Sequence, residues 1–109
     1  MAQSLEDALI SVWRQVLVEN ARAVTLNNES YPVRRTSRSK LREVDFQCDG
    51  KAVRGVEQNA STNSRWAKLA REGRKVMQFL AEGRYVANVV DGKATVYKSL
   101  PERKQLRQR

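Results

Sequence analysis

Two Asp-Gly pairs, Asp49-Gly50 and Asp91-Gly92, each stand between runs that alternate apolar and polar residues. Asp-Gly suits a two-residue turn whose central residues both need positive φ, and that turn joins antiparallel strands. The chain is thereby committed to hairpins. Leu41–Cys48 and Lys51–Glu57 read as the arms of the first. Its register sets Phe46 opposite Val53, Val44 opposite Gly55, and Asp45 opposite Arg54 as a cross-strand ion pair. Arg84–Val90 and Lys93–Lys98 read as the arms of the second, with Lys75–Leu80 joined to them through Glu82-Gly83. Tyr85–Val90 has apolar residues on both faces and is expected to lie centrally. Arg22–Asn27 and Tyr31–Thr36 read as two more strands around an Asn27-Asn28 turn, with Pro32 near a strand start or on an edge.

Helices punctuate this pattern twice. From Ser4 to Glu19, Leu5, Ala8, Leu9, Val12, Trp13, Val16 and Leu17 recur at helical spacing and form one apolar stripe. Ser4 and Asp7 have the spacing of a capping box, and Glu6 and Asp7 suit the positive helix start. The stripe serves either to cover the chain's own sheet or, in a homodimer through residues 4–19, to meet a second copy. A short helix, Arg65–Glu72, is expected to be capped by Ser64 or Asn63 and ended by Gly73, with Trp66, Leu69 and Ala70 inward. A further cap, Ser99 with Glu102, opens a terminal stretch with only Leu100 and Leu106 apolar.

The elements specify an α+β domain. An antiparallel β-sheet of about six to seven strands, in the order α-ββββ-α-βββ, packs with the N-terminal amphipathic helix and a short second helix. At 109 residues there is room for one such domain, read as residues 1–100, and a basic tail, 101–109, expected to fray. As a pattern of elements, the ββββα stretch is similar in topology to a Whirly or PUR repeat; no motif of those families is matched residue by residue.

Charge says more about partners than about fold. The net charge is +9, and it is unevenly spread. Residues 1–30 set Arg14 and Arg22 against Glu6, Asp7, Glu19 and Glu29, leaving +11 on the remainder. Arg34, Arg35, Arg38, Lys40 and Arg42 fall within nine residues without an acid among them. Such charge needs water, a distant acid or an anionic partner. Thr36, Ser37 and Ser39 add hydroxyl donors suited to phosphate oxygens. Arg65, Lys68 and Arg71, three apart on the short helix, extend the basic track, and Tyr31 is the nearest aromatic for base stacking. With aromatic residues only 6% of the chain, phosphate contact should outweigh base reading. The expectation is a non-enzymatic nucleic-acid-binding protein of low specificity, with single-stranded DNA or RNA favoured. Two other readings are an interaction module using helix 4–19 and a small-molecule-binding domain near Glu57, Gln58 and Asn59.

No catalytic constellation is legible: there is no histidine, no Gly-rich phosphate loop and no metal-ligand spacing. No cofactor or metal is expected, since one cysteine without histidine does not make a usual zinc site. Cys48 is the lone cysteine, which fits a reducing, cytoplasmic setting. No signal peptide or membrane span is read.

Overall fold

The computed structural model describes residues 4–59, 67–81 and 85–97. It is an α+β fold. Helix α1 (Leu5–Trp13) opens the chain and widens into a π-helical turn, Arg14–Val18. The strands are β1 (Ala23–Leu26), β2 (Glu29–Pro32), β3 (Arg34–Arg35), β4 (Arg42–Cys48), β5 (Lys51–Gln58), β6 (Val76–Ala81), β7 (Tyr85–Val90) and β8 (Lys93–Tyr97). Helix α2 (Ala67–Arg71) lies between β5 and β6.

The sheets follow from the turns. Asp49 and Gly50 have φ of 53° and 76°, and Asp91 and Gly92 have 50° and 82°. These values build the two-residue turns read from the sequence. In β4–β5, Phe46 pairs with Val53, Val44 with Gly55, and Asp45 with Arg54, in the expected register. Strands β3 to β8 form one six-stranded antiparallel meander in chain order, which places β7 inside the sheet.

The run Tyr31–Thr36 departs from expectation. It is not one strand but two, on different sheets. Asn27 and Asn28, at φ 48° and 67°, turn the chain so tightly that β2 begins at Glu29 and pairs only with β1. Pro32 ends β2 rather than starting it, at a position whose amide would point away from β1, so its missing amide hydrogen costs the ladder no bond. Val33 N–H makes the last contact, to the Arg22 carbonyl at 2.8 Å, and Arg34–Arg35 then joins β4. There are thus eight described strands, two in one sheet and six in the other. The expected ββββα unit is therefore not a single four-stranded sheet.

One face of the meander carries Val44, Phe46, Cys48, Val53, Met77, Phe79, Ala81, Ala87 and Val89, all buried. Gly55 is on that face opposite Phe79, and a Cβ there would lie 2.5 Å from the Phe79 ring. Only glycine leaves the ring that space. Phe79 also meets Phe46 edge to face, with centroids 6.1 Å apart. The apolar stripe of the first helix covers this face: Ala8, Leu9, Val12, Trp13, Val16 and Leu17 are all buried in the same core. Ser4 Oγ accepts from Asp7 N–H at 3.1 Å and caps the helix. Trp13 Nε1 donates to the Lys75 carbonyl at 3.0 Å, fastening the far end of α1 beside β6.

The widened turn was not legible in the spacing of apolar residues. Glu19 N–H reaches back five residues to the Arg14 carbonyl. Gln15 inside this turn presents its amide to Thr25, accepting from Thr25 N–H at 3.0 Å and donating to Thr25 C=O at 3.1 Å. Thr25 sits where the β1–β2 ladder points its backbone groups away from β2. The Gln15 amide stands in for a missing third strand and docks the small hairpin on the helix.

The described part of α2 ends at Arg71, one residue before the expected Glu72. Gly73 ends it at φ 77°, with Gly73 N–H bonded to the Ala70 carbonyl and Arg74 N–H to the Leu69 carbonyl, as a left-handed cap requires. Ala67 and Leu69 are half-buried, but Ala70, expected to face inward, is exposed. Arg65, Trp66 and the Ser64 or Asn63 cap lie outside the described residues, as do the Glu82-Gly83 link, the Ser99 cap and the tail 101–109. No described helix is long and apolar enough to cross a membrane.

Candidate nucleic-acid interface

The register gathers the basic segments at one end of the meander. β4 begins at Arg42, β5 ends at Gln58, β6 begins at Val76, and β7 and β8 meet at Asp91-Gly92. These termini are neighbours. The β3–β4 loop and the β5–β6 connection containing α2 therefore leave the sheet at the same end, with β4 and β5 between β3 and β6.

The β3–β4 loop is shaped by its own hydroxyls. Thr36 N–H bonds the Leu41 carbonyl, and Lys40 N–H bonds the Thr36 carbonyl, both at 2.9 Å. Thr36 Oγ1 accepts from the amides of Ser39 and Leu41 and is hydrogen-bonded to Ser39 Oγ. Thr36 and Ser39 thus organise the loop, the use that Ser and Thr hydroxyls often find in turns. Lys40 closes it in the left-handed region, at φ 61°.

The five cations of this segment divide. Arg42 is half-buried on the inner face, directly opposite Glu57. Its Nε is 3.1 Å from Glu57 Oε1 and its Nη2 is 3.2 Å from Oε2, a forked pair. Arg42 Nη1 donates to the Val16 carbonyl and to Asn20 Oδ1, each at 2.8 Å, and Arg42 N–H donates to Glu57 Oε1. Four of the five guanidinium hydrogens are thereby used within the fold. Burial pushes the Glu57 carboxyl up, but hydrogen bonds from Arg42 and the charges of Arg42 and Arg35 outweigh it and hold the group below its ordinary range. Arg34 lies on the outer face, where its Nη2 is 2.7 Å from Asp45 Oδ2. Arg54 grips the same carboxylate at 2.8 Å.

Arg35, Arg38 and Lys40 are exposed, and among the described residues none forms an ion pair with an acid. Arg35 is steadied by donating from Nη1 to the Lys40 carbonyl at 2.8 Å. On α2, Lys68 and Arg71 are likewise exposed and without an acidic partner among the described residues. The neighbouring Arg74 is engaged by Asp91 at 3.1 Å. Tyr31 stands apart from this end. It is half-buried, edge-on to Phe46 at 6.3 Å between centroids, four residues along β4 from Arg42.

Sequence reasoning passed over Arg22. It is exposed and forms no side-chain hydrogen bond or ion pair with a described residue, and it lines a concavity together with Arg35 and Arg42. The signal lay in the Asn27-Asn28 turn: its register carries Arg22 to Val33, two residues from Arg35. Cys48 is a buried thiol, pushed up by burial, with Asp49 adding to the shift and Lys51 opposing it. Among the described residues, no acidic, cysteine or histidine cluster forms a metal centre. Comparison of the chain with family models, curated proteins and solved structures gives no match.

Proposed function

We propose that this is a non-enzymatic protein that binds the phosphate backbone of single-stranded DNA or RNA, with contacts centred on the β3–β4 loop. One observation carries the reading. Arg35, Arg38 and Lys40 stand at and beside a hydrogen-bonded loop with no acid among the described residues paired to them, while Arg34 and Arg42 in the same run are matched to Asp45 and Glu57. The fold neutralises the cations it uses and leaves the others for an external anion. Lys68 and Arg71 at the same end of the sheet lengthen the track. A flexible single strand suits such a line of point contacts, since it bends to meet them. Tyr31 contributes through its packing against Phe46 rather than as a base platform. The proposal places the protein in the cytoplasm, consistent with its single, buried thiol.

The test is fluorescence anisotropy with a labelled oligonucleotide across a salt series. With about five phosphates engaged, log K against log salt should have a slope near −3.5. Changing Arg35, Arg38 and Lys40 together to Gln should weaken binding and make the slope shallower by about 2. Absence of binding at low salt, or affinity indifferent to salt, overturns the reading.

A further inference from the structure

Beside the loop, the chain from Asn20 to Arg22 and the segment from Val33 to Arg42 enclose a concavity of about 500 Å³, lined by Asn20, Ala21, Arg22, Val33, Arg35 and Arg42. Three arginines line this one concavity, and the nearby carboxylate, Glu57, is bound to one of them. The lining therefore holds an excess of two positive charges. Like charges gathered this way favour an anion placed among them. The chemistry is one-sided as well. Arg42 is fixed by Glu57, Val16 and Asn20 and serves as a rigid wall. Asn20 accepts from Arg42 through Oδ1, which leaves its amide hydrogens as donors. Among the described residues, Arg22 gives none of its guanidinium hydrogens to a partner and Arg35 gives one, to Lys40. The side chains thus offer donors, and Ala21 and Val33 supply apolar walls that strengthen charge-assisted hydrogen bonds.

We propose that this concavity binds a phosphate monoester: the phosphate of a free nucleotide, or the terminal phosphate of a nucleic-acid strand. A monoester carries roughly −1.5 to −2 at neutral pH and three acceptor oxygens, matching two unpaired arginines and an excess of two charges. A backbone diester carries one charge and must leave the site in two directions. Arg22 and Arg35 grip the phosphate, and Asn20 donates to it. The inference goes beyond backbone binding and does not require it, because a free nucleotide satisfies the same site.

The experiment titrates the full ¹⁵N-labelled chain with inorganic phosphate, with adenosine monophosphate, and with matched oligonucleotides bearing a 5′-phosphate or a 5′-hydroxyl, at constant ionic strength. Saturable shifts are expected at the amides of Arg22, Val33 and Arg35 and at the Arg22 and Arg35 Nε–H groups. Affinity should fall as the pH drops below about 6, where the monoester loses its second charge. Arg22→Gln and Arg35→Gln should each weaken monophosphate binding about tenfold or more, as expected for lost charge-assisted hydrogen bonds. Arg38→Gln and Lys40→Gln should change it less than about threefold. The wild-type shift map stands even if a variant folds poorly. Gain from the 5′-phosphate on the oligonucleotide identifies a strand end as the source; binding of the monophosphate without that gain identifies a free nucleotide. Monophosphate binding at these residues with no oligonucleotide binding supports the pocket and removes the backbone reading. Oligonucleotide binding that ignores the 5′-phosphate, with only non-saturable phosphate shifts, overturns the pocket and leaves the backbone reading standing. Equal losses in all four variants also overturn the pocket, since they indicate diffuse charge.

Discussion

Arg42 and Asp45 stand three residues apart on β4, one turned to the core and one to solvent, and each is held by an opposite charge on β5. On the inner face, Arg42 and Glu57 are 18% and 23% exposed at the side chain. On the outer face, Asp45 is 43% exposed and is shared by Arg34 and Arg54, which are 47% and 58% exposed. Both are arginine–carboxylate contacts, at 3.1 Å inside and 2.7 and 2.8 Å outside. The consequences differ because water screens the outer set and largely leaves the inner one alone. The inner pair also joins the helix to the sheet through the Val16 carbonyl, whereas the outer set only ties neighbouring strands together. A cation's meaning in this chain thus depends on which face its strand position selects.

Breaking the inner pair is the most severe test of this contrast. Arg42→Ala leaves Glu57 half-buried without its counter-ion and frees the Val16 carbonyl, and should cost about 3 kcal/mol in a urea melt. A loss as small as that of an exposed pair would erase the distinction between the faces. The next effect is on pH. Glu57 lies below its ordinary range in the folded protein because Arg42 overcomes its burial. Asp45 does so chiefly through its hydrogen bond from Arg54, with Arg34 adding to it. A depressed carboxyl stabilises the fold above its unfolded pKa, near ~4, and that contribution is lost as pH falls through the folded value. Acid should therefore destabilise the protein, and Glu57→Gln should flatten the acid limb of thermal stability against pH more than Asp45→Asn, since its partner is less screened. The smallest effect belongs to Asp45→Asn at neutral pH, below about 1 kcal/mol. A larger loss there would mean that three exposed charges act as a cooperative network.

Much of the fold could be read without coordinates because it is written in local chemistry. Asp-Gly turns fix hairpins and register within a few residues, Ser4 caps its helix, and Gly73 ends another. The expected register of β4–β5 already implied that Arg42 faces Glu57, since extending the pairing of Asp45 with Arg54 by three residues sets the two opposite. What concealed it was reading Arg42 as one of a basic run, by charge rather than by strand parity. Other features had no local signature. The π-helical turn depends on Gln15 meeting Thr25 and on Arg42 reaching Val16, contacts between separate elements. The split after Pro32 likewise depends on which sheet claims Arg34. The exposed loop cations were legible as charge, but their freedom from acids was not, because it is decided by which of their neighbours Asp45 and Glu57 take.

The meander also bears on how the chain comes together. Each strand of the large sheet pairs with the strand just before or after it in sequence, so most backbone pairing needs only short loops. Docking of α1 is the exception: the Trp13 contact with Lys75 spans 62 residues. Loop-closure entropy rises with that span, and contacts of long separation slow folding. The apolar stripe of α1 packs on β1 and on the distant β6, β7 and β8, so late docking of the helix is the expectation. Until then Leu9, Val12 and Trp13 must wait in water, which makes the helix, although first in the chain, the natural last piece of the core.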